Sequence, residues 1–91
     1  MNNIGINYFI TIVQEGSLNK AAKKLIVSQP SLSQYVQRLE KSLGVKLFDR
    51  STTPLSLTYA GQRYYEYILH ARTMEDNIQK ELIDIEQNKG G

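Results

Sequence analysis

The chain contains no cysteine, no tryptophan and one histidine, His70, among its 91 residues. Without cysteine it can form neither a disulfide framework nor a thiolate zinc site, and a single imidazole cannot form a metal-binding cluster. We therefore expect a fold that is stabilised without a metal ion and that carries no cofactor.

Long apolar runs are also missing from the sequence. No run approaches the roughly 20 residues that a membrane-spanning helix needs. The opening residues Met1, Asn2, Asn3 and Ile4 lack a basic segment leading into an apolar one, so no secretory leader is predicted. The resulting expectation is a cytoplasmic protein without a membrane partner.

A catalytic constellation is a further absence. His70 falls inside the last predicted helix, and the spacing of the serines offers it no nucleophilic partner. The glycines at positions 5, 16, 44 and 61 are scattered, so they do not form a phosphate-binding loop. We predict that the chain is not an enzyme.

The charges that are present divide unevenly along the chain. Up to Arg63 there are eight basic and three acidic side chains, whereas from Tyr64 onward there are three basic and six acidic ones. Such asymmetry is typical of a chain whose basic part binds a polyanion while its acidic part points away. The alternative is that the charges only solubilise the surface, and composition leaves both interpretations open.

Apolar spacing predicts a helix-turn-helix in the first half of the chain. Gly16 is suited to end a first helix over residues 4–14, and Ser17 to cap a second over residues 18–25. Ser28 is suited to cap a third helix after a tight turn. The buried stripe predicted for the first helix consists of Ile4, Tyr8, Phe9, Ile12 and Val13.

The third predicted helix has an apolar side and a polar side. The apolar side, which we expect to face the core, consists of Leu32, Val36, Leu39 and Leu43. The opposite side bears Pro30, Ser33, Gln34, Gln37 and Lys41, with Arg38 at its margin. A face that meets only solvent usually carries more Glu and Lys pairs, so these amides and hydroxyls indicate a binding surface. Gly44 is predicted to end the helix.

Two short extended segments, residues 45–48 and 55–57, predict a β-hairpin of the kind called a wing. The connection over residues 49–54 holds small polar residues, a proline and Arg50, a composition that suits an exposed tip. The wing would therefore present a cation beside the third helix.

The last predicted helix is long and runs from a cap at Thr58 to about Gln87. Its apolar residues alternate gaps of four and three, as in a coiled coil, and so small a domain has no second long helix to cover them. We therefore predict that two copies pair along this helix. The predicted dimer contacts are Tyr64, Ile68, Ala71, Met74, Ile78, Leu82 and Ile85, with Glu75 as a charged intrusion.

The polar side of the third helix and the basic wing together suit double-stranded DNA. A helix fits the major groove, where glutamine can bond bidentately to an adenine edge, and a wing arginine can enter the minor groove or contact the backbone. The candidate DNA-binding residues are Ser28, Gln29, Pro30, Ser31, Ser33, Gln34, Gln37, Arg38, Lys41, Arg50, Ser51 and Thr52. Two alternatives remain open: an ordinary solvated helix face, or a protein-interaction module whose front part is only a scaffold.

Five sequence blocks carry a family resemblance. They are residues 15–25, residues 28–33, Leu39-Glu40 with Leu43-Gly44, residues 47–50, and residues 57–61. In order and spacing they resemble the signature of LysR-type transcriptional regulators. The resemblance implies a mainly α fold, a winged helix-turn-helix of three helices plus a two-stranded wing, followed by a long dimerisation linker helix. The implied divisions are a DNA-binding domain (1–57), a linker helix (58–87) and a flexible end (88–91).

The same resemblance implies sequence-specific binding of double-stranded DNA, as a homodimer, at interrupted inverted repeats in bacterial promoters. Gln29, Pro30, Ser31 and Ser33 match the start of the family's recognition helix, and Arg50 matches its wing arginine. Family members normally continue into an effector-binding domain. We therefore expect the chain to be an excised fragment, and expect an effector ligand only for a full-length protein.

Some positions depart from the family pattern. Members often have alanine at the place of Ser31, a basic residue at Gln34 and glutamine at Tyr35. The resemblance therefore does not define the base preference at these three positions.

Overall fold

The computed structural model describes residues 4–89 as four helices and a two-stranded antiparallel sheet. In chain order the elements are α1 (Ile4–Glu15), α2 (Leu18–Leu25), α3 (Gln29–Leu43), β1 (Phe48–Asp49), β2 (Ser56–Leu57) and α4 (Tyr59–Gln87). This is the predicted winged helix-turn-helix with a long last helix.

The helix boundaries agree with the predicted capping residues. The side chains of Ser17, Ser28 and Thr58 each accept a hydrogen bond from the backbone N–H three residues later, at 3.2, 3.2 and 3.0 Å. Each therefore satisfies one of the N–H groups that a helix start leaves without a partner. At the other end of α3, Gly44 takes the left-handed conformation, with φ of 78°.

The buried face of α1 differs in part from the predicted stripe. Phe9 and Ile12 are fully buried as expected, but Ile6 and Ile10 are also buried, and Ile4 is 57% exposed. Helix α1 is covered by α2 on one side and by α4 on another, so its buried arc is wider than one stripe and is shifted away from its first residue. The prediction that Ile4 is a core residue is therefore wrong.

The inner side of α3 also extends less far than predicted. Leu32 and Val36 are buried and Leu39 is partly buried against the core, whereas Leu43 is 44% exposed. Glu40 is buried in the last part of the helix instead, at 5% exposure. The prediction that Leu43 faces the core is wrong, because the turn after α3 brings residues 47 and 48 over the core in its place.

The wing is shorter than predicted. Phe48 pairs with Leu57 and Asp49 with Ser56, so pairing begins at residue 48 rather than at 45. Val45 is 46% exposed and takes no part in the sheet. Residues 45–47 form no strand, and the backbone of this segment is hydrogen-bonded to the Glu40 side chain of α3 and to the start of α4.

Helix α4 begins after Thr58 and ends at Gln87, as predicted. Its first half belongs to the core: Ile68 is 4% exposed, and Tyr64 and Ala71 pack against the same cluster. Ile68, which the apolar spacing assigns to the dimer interface, therefore lies inside its own chain, because α1 covers that face of α4. Beyond Glu75 every residue of α4 is exposed.

The predicted flexible end lies only partly within the described residues. The Asn88 backbone N–H donates to the Asp84 carbonyl oxygen at 3.0 Å and ends α4, whereas residues 90 and 91 lie outside the described part. Within residues 4–89, no helix is both long and apolar enough to span a bilayer.

Candidate nucleic-acid interface

The outer side of α3 is an open polar surface. The predicted residues on it that are exposed are Pro30, Ser31, Gln34, Gln37, Arg38 and Lys41. Gln29 and Ser33 are half-buried at the edges of this surface. The surface lies opposite Leu32 and Val36, because those two side chains point into the core. The structure thus brings the predicted α3 residues together on one face.

Two serines at the start of α3 bond to each other. The Ser28 hydroxyl accepts the Ser31 backbone N–H at 3.2 Å and donates to the Ser31 hydroxyl oxygen at 2.7 Å. Ser28 is therefore occupied as the helix cap, while the Ser31 hydroxyl keeps its own proton for a further acceptor. A nucleic-acid contact from Ser31 is compatible with this geometry, whereas one from Ser28 competes with its capping role.

The wing tip is held by its own hydrogen bonds. The Asp49 carboxylate accepts the Ser51 hydroxyl at 2.5 Å and the Ser51 backbone N–H at 3.0 Å. The bond from the Ser51 hydroxyl and, to a lesser degree, the one from its backbone N–H lower the pKa of the Asp49 carboxyl because they favour its charged form. The Thr52 hydroxyl lies 3.0 Å from the Pro54 carbonyl oxygen and 2.8 Å from the Ser56 hydroxyl. Ser51 and Thr52, both predicted to bind DNA, thus have structural partners in the tip.

Arg50 is the free cation of the wing. Its side chain is exposed and takes part in none of the ion pairs within residues 4–89. Those ion pairs are formed by Lys24, Lys46 and Arg63. An unpaired guanidinium at an exposed tip can bond to phosphate oxygens or enter a narrow groove. The structure therefore leaves Arg50 available for the predicted role.

A cleft separates α3 from the wing. It has a volume of about 500 Å³, and its walls include Gln37 on the α3 side and Arg50 and Lys46 on the wing side. An amide, two cations and the carboxylates of Glu40 and Asp49 thus border one open space. A sugar-phosphate strand passing between two grooves would meet cations on one wall and a hydrogen-bonding amide on the other.

Glu40 at the base of this cleft is a functional candidate that the sequence reading missed. Its carboxylate accepts the backbone N–H groups of Leu47 at 2.6 Å and Phe48 at 3.2 Å. The signal was present in the sequence, because Glu40 follows Val36 by four residues and so lies on the apolar side of α3. A charge in that position must find buried hydrogen-bond donors.

Residues 5–62 match the family described as bacterial regulatory helix-turn-helix protein, lysR family. The chain belongs to the LysR family. The match spans the helix-turn-helix, the wing and the first turn of α4, which are the elements that border the candidate interface.

Relatives within the LysR family include the HTH-type transcriptional regulator BenM of Acinetobacter baylyi, 37% identical over 73 residues. That alignment covers 80% of this chain and 24% of BenM, so the chain spans about a quarter of that regulator's length. The matching relatives are transcriptional regulators, in agreement with the prediction that the chain is not an enzyme.

Solved structures of LysR-family DNA-binding domains (DBDs) share this fold. The BenM DBD in complex with benA site 1 DNA superposes with a TM-score of 0.89 at 33% identity, covering 97% of this chain and 99% of that one. The CbnR DBD–DNA complex gives 0.83 at 32% identity, covering 92% of this chain and 97% of that one. The chain therefore has the fold of a LysR-family DNA-binding domain.

Tyr35, one of the departures from the LysR pattern, faces away from the candidate interface. Its hydroxyl donates to the Gly5 carbonyl oxygen at 2.8 Å, and its ring packs edge-on against Tyr8 with centroids 5.4 Å apart. Burial, and then the nearby Tyr64, raise the pKa of Tyr35 to about 12. Tyr35 therefore stabilises the contact between α3 and α1 and is not part of the exposed polar surface.

Proposed function

We propose that the chain binds promoter DNA sequence-specifically as a homodimer, with one α3 in the major groove of each half of an inverted repeat. The observation that carries this proposal is the cleft in which Gln37 of α3 and Arg50 of the wing face one open space. Such a surface can contact base edges from the helix and the adjacent backbone or minor groove from the wing.

Base reading is assigned to the amides and hydroxyls of α3. Gln34 and Gln37 are exposed on its outer side, and Gln29 is half-buried in its first turn. Each amide can pair bidentately with an adenine edge, and the helix start favours a phosphate oxygen. The exposed Ser31 hydroxyl can bond to either.

Sequence-independent attraction is assigned to the cations around α3. Arg38, Lys41 and Arg50 are exposed and outside the ion pairs of the described residues. Lys46 is 80% exposed, although its ammonium lies 3.9 Å from the Glu40 carboxylate. Contacts of these cations with phosphates release counterions, so binding should weaken as salt rises.

Dimerisation is assigned to the second half of α4. Met74, Ile78, Leu82 and Ile85 share one side of the helix and are 70, 39, 52 and 66% exposed. Within residues 4–89 no other element covers this side, and a second copy of α4 would bury it. A two-fold axis between two α4 helices relates the two α3 helices, which matches an inverted repeat.

The test is selection of bound duplexes from random DNA, followed by fluorescence-anisotropy titration of Gln29→Ala. Loss of a base contact should cost on the order of 1 to 3 kcal/mol on the selected duplex and much less on a scrambled one. Gln79→Ala, the same change at an exposed position of α4, should bind both duplexes as the unchanged chain does. Equal losses on both duplexes for Gln29→Ala would refute base reading.

Failure of the whole proposal has a separate signature. A chain that binds no duplex at low salt would lack even electrostatic attraction to DNA, since this attraction does not depend on sequence. Formation of mixed complexes through Ile78 and Leu82 together with that result would favour a protein-interaction module instead.

The proposal extends to the context of the longer regulators. The chain corresponds to 24% of BenM, so an effector ligand is assigned only to a full-length protein that carries further residues. A cytoplasmic location is part of the same proposal, because promoter DNA is the partner. The division at residues 57 and 58 also stays a prediction, since Tyr64 and Ile68 of α4 pack against the helix-turn-helix core.

A further inference from the structure

We propose that Glu40 is a positioning residue that places the wing relative to the outer side of α3, so that discrimination at wing-contacted bases depends on its carboxylate. The inference rests on the proposed DNA binding and names a determinant of specificity within that same site. Glu40 itself faces the protein interior, at 5% exposure, and touches no DNA in this account.

The carboxylate joins two parts of the interface directly. Glu40 lies on α3, three residues after Gln37, and one of its oxygens accepts the backbone N–H groups of Leu47 at 2.6 Å and Phe48 at 3.2 Å. Phe48 is the first residue of β1. Among residues 4–89, these are the hydrogen bonds that connect the α3 side chains to the wing.

The opposite edge of the same segment is held by the start of α4. The Leu47 carbonyl oxygen accepts the Thr58 N–H at 3.0 Å, and the Thr58 hydroxyl donates to the Lys46 carbonyl oxygen at 2.7 Å. Residues 46–48 are therefore fixed from two sides. If the Glu40 bonds are removed, the Thr58 bonds still hold the segment. The wing then stays attached to α4, but its position relative to α3 is no longer defined.

Hydrogen bonding, and not charge, does this positioning. The Lys46 ammonium lies 3.9 Å from the other carboxylate oxygen and is 80% exposed, so solvent screens that ion pair. The two N–H groups of Leu47 and Phe48, by contrast, belong to buried residues and have the Glu40 oxygen as their acceptor. A neutral side chain of the same length, such as glutamine, would still accept these N–H groups. The shorter aspartate would not reach them.

The experiment separates reach from charge with two variants. Glu40→Gln keeps the length and one acceptor oxygen but removes the charge, and Glu40→Asp keeps the charge but is shorter by one methylene. Each is titrated against the selected duplex and against a panel with single base-pair substitutions. Arg50→Ala and Gln37→Ala serve as references that identify the wing-dependent and the α3-dependent positions.

We expect Glu40→Gln to show the discrimination of the unchanged chain at every position. Glu40→Asp should lose discrimination at the positions that Arg50→Ala identifies, from roughly tenfold per base pair to nearly none, while keeping it at the Gln37 positions. Thermal unfolding of both variants checks that they are folded at the titration temperature.

Three results would overturn the inference. If the two variants discriminate between duplexes identically, the length of the side chain does not matter. If Glu40→Asp loses discrimination equally at all base positions, or fails to fold, the role of Glu40 is a general structural one. If the unchanged chain binds no duplex, the proposed function fails and this inference falls with it. Binding by the unchanged chain with identical variants would overturn the Glu40 assignment alone.

Discussion

The Tyr35 hydroxyl on α3 donates a 2.8 Å hydrogen bond to the Gly5 carbonyl oxygen in the first turn of α1. This bond exists only while the phenol is protonated, because a phenolate has no proton to donate. Burial is the main cause that raises the pKa of Tyr35 to about 12, from an ordinary value of 10.0. Helix α3 is thus tied to α1 by a hydrogen bond whose donor keeps its proton to a higher pH than an ordinary tyrosine does.

Tyr35→Phe should reduce the free energy of unfolding by about 1 kcal/mol at neutral pH, because it removes one hydrogen bond. The folded-state pKa lies above the unfolded one, so this contribution is complete below pH 10.0 and is lost as pH rises to about 12. Urea unfolding measures the free energy of unfolding of the unchanged chain and of Tyr35→Phe. The difference between them should be smaller at about pH 11 than at neutral pH. Tyr59→Phe, at a 94% exposed tyrosine, is the control at neutral pH and should leave the free energy of unfolding unchanged there. A difference for Tyr35→Phe that is the same at both pH values would contradict the assignment.

Ile26, in the turn between α2 and α3, has φ of 58° and is 91% exposed. The left-handed conformation is unfavourable for a β-branched residue, by roughly 1–2 kcal/mol, and asparagine adopts it more readily. We expect Ile26→Asn to raise the free energy of unfolding by about 0.5–1 kcal/mol, measured by urea unfolding. Ile4→Asn, at an exposed position with ordinary helical backbone, should give no gain. A loss of stability in Ile26→Asn would mean that the isoleucine side chain contributes something that its exposure does not show.

Gly61 lies against the backbone of Leu47, the residue just before the wing. A Cβ atom at this position would lie 1.9 Å from the Leu47 carbonyl oxygen, so the backbone must shift to admit it. We expect Gly61→Ala to cost about 2–4 kcal/mol in thermal or urea unfolding. Gly44→Ala is the comparison, since its Cβ would meet nothing within 4 Å and only its φ of 78° is unfavourable. If the two variants lose similar free energies of unfolding, the short distance between Gly61 and Leu47 does not exclude a Cβ atom at position 61.

Arg50→Ala should weaken binding to scrambled duplexes through the loss of a phosphate contact, and on the matched duplex it should also lose discrimination at the minor-groove base pairs that the wing borders. Removal of one phosphate contact should make the slope of log affinity against log salt shallower by about one. The measurement is a salt series of anisotropy titrations. Arg72→Ala removes the same charge from an exposed position of α4, within the part that carries net negative charge, and should leave the slope unchanged. An unchanged slope in Arg50→Ala would exclude a phosphate contact by the wing arginine.

Leu82→Asp should weaken dimerisation at least about tenfold, because a charge replaces a side chain that the second α4 would bury. Sedimentation equilibrium measures the dissociation constant. Ile83→Asp is a matched control: its side chain is 48% exposed, close to the 52% of Leu82, but lies on the other side of α4. The reverse order of effects would place the dimer interface on the side of Ile83.

Much of the fold was predictable because it depends on neighbours in the chain. A capping serine bonds to the N–H three residues later, so Ser17, Ser28 and Thr58 mark helix starts wherever the helices pack. The polar outer side of α3 was predictable for the same reason, since helical periodicity alone separates Gln34 and Gln37 from the apolar residues.

The site was predictable as a surface but not in its construction. The sequence predicted that the amides of Gln34 and Gln37 and the arginine of the wing are exposed, as they are. Yet it could not show that Ser51 and Thr52 bond within the tip. It also treated Tyr35 as a position that affects base preference, whereas in the structure its hydroxyl is hydrogen-bonded to α1. These partners are chosen by three-dimensional proximity, which periodicity does not report.

Sequence alone thus determined the helix limits and the polar face of α3, because each depends on interactions within a few residues. It also indicated the family and the presence of the wing, but not the length of the wing. The packing of the elements decided which apolar residues are buried: α1 and α4 enclose Ile10 and Ile68, while Ile4 lies outside. It also decided that Glu40 points inward, because only the folded chain brings the N–H groups of residues 47 and 48 to its carboxylate. Burial is a property of the assembled elements, since a side chain leaves water only when another element covers it.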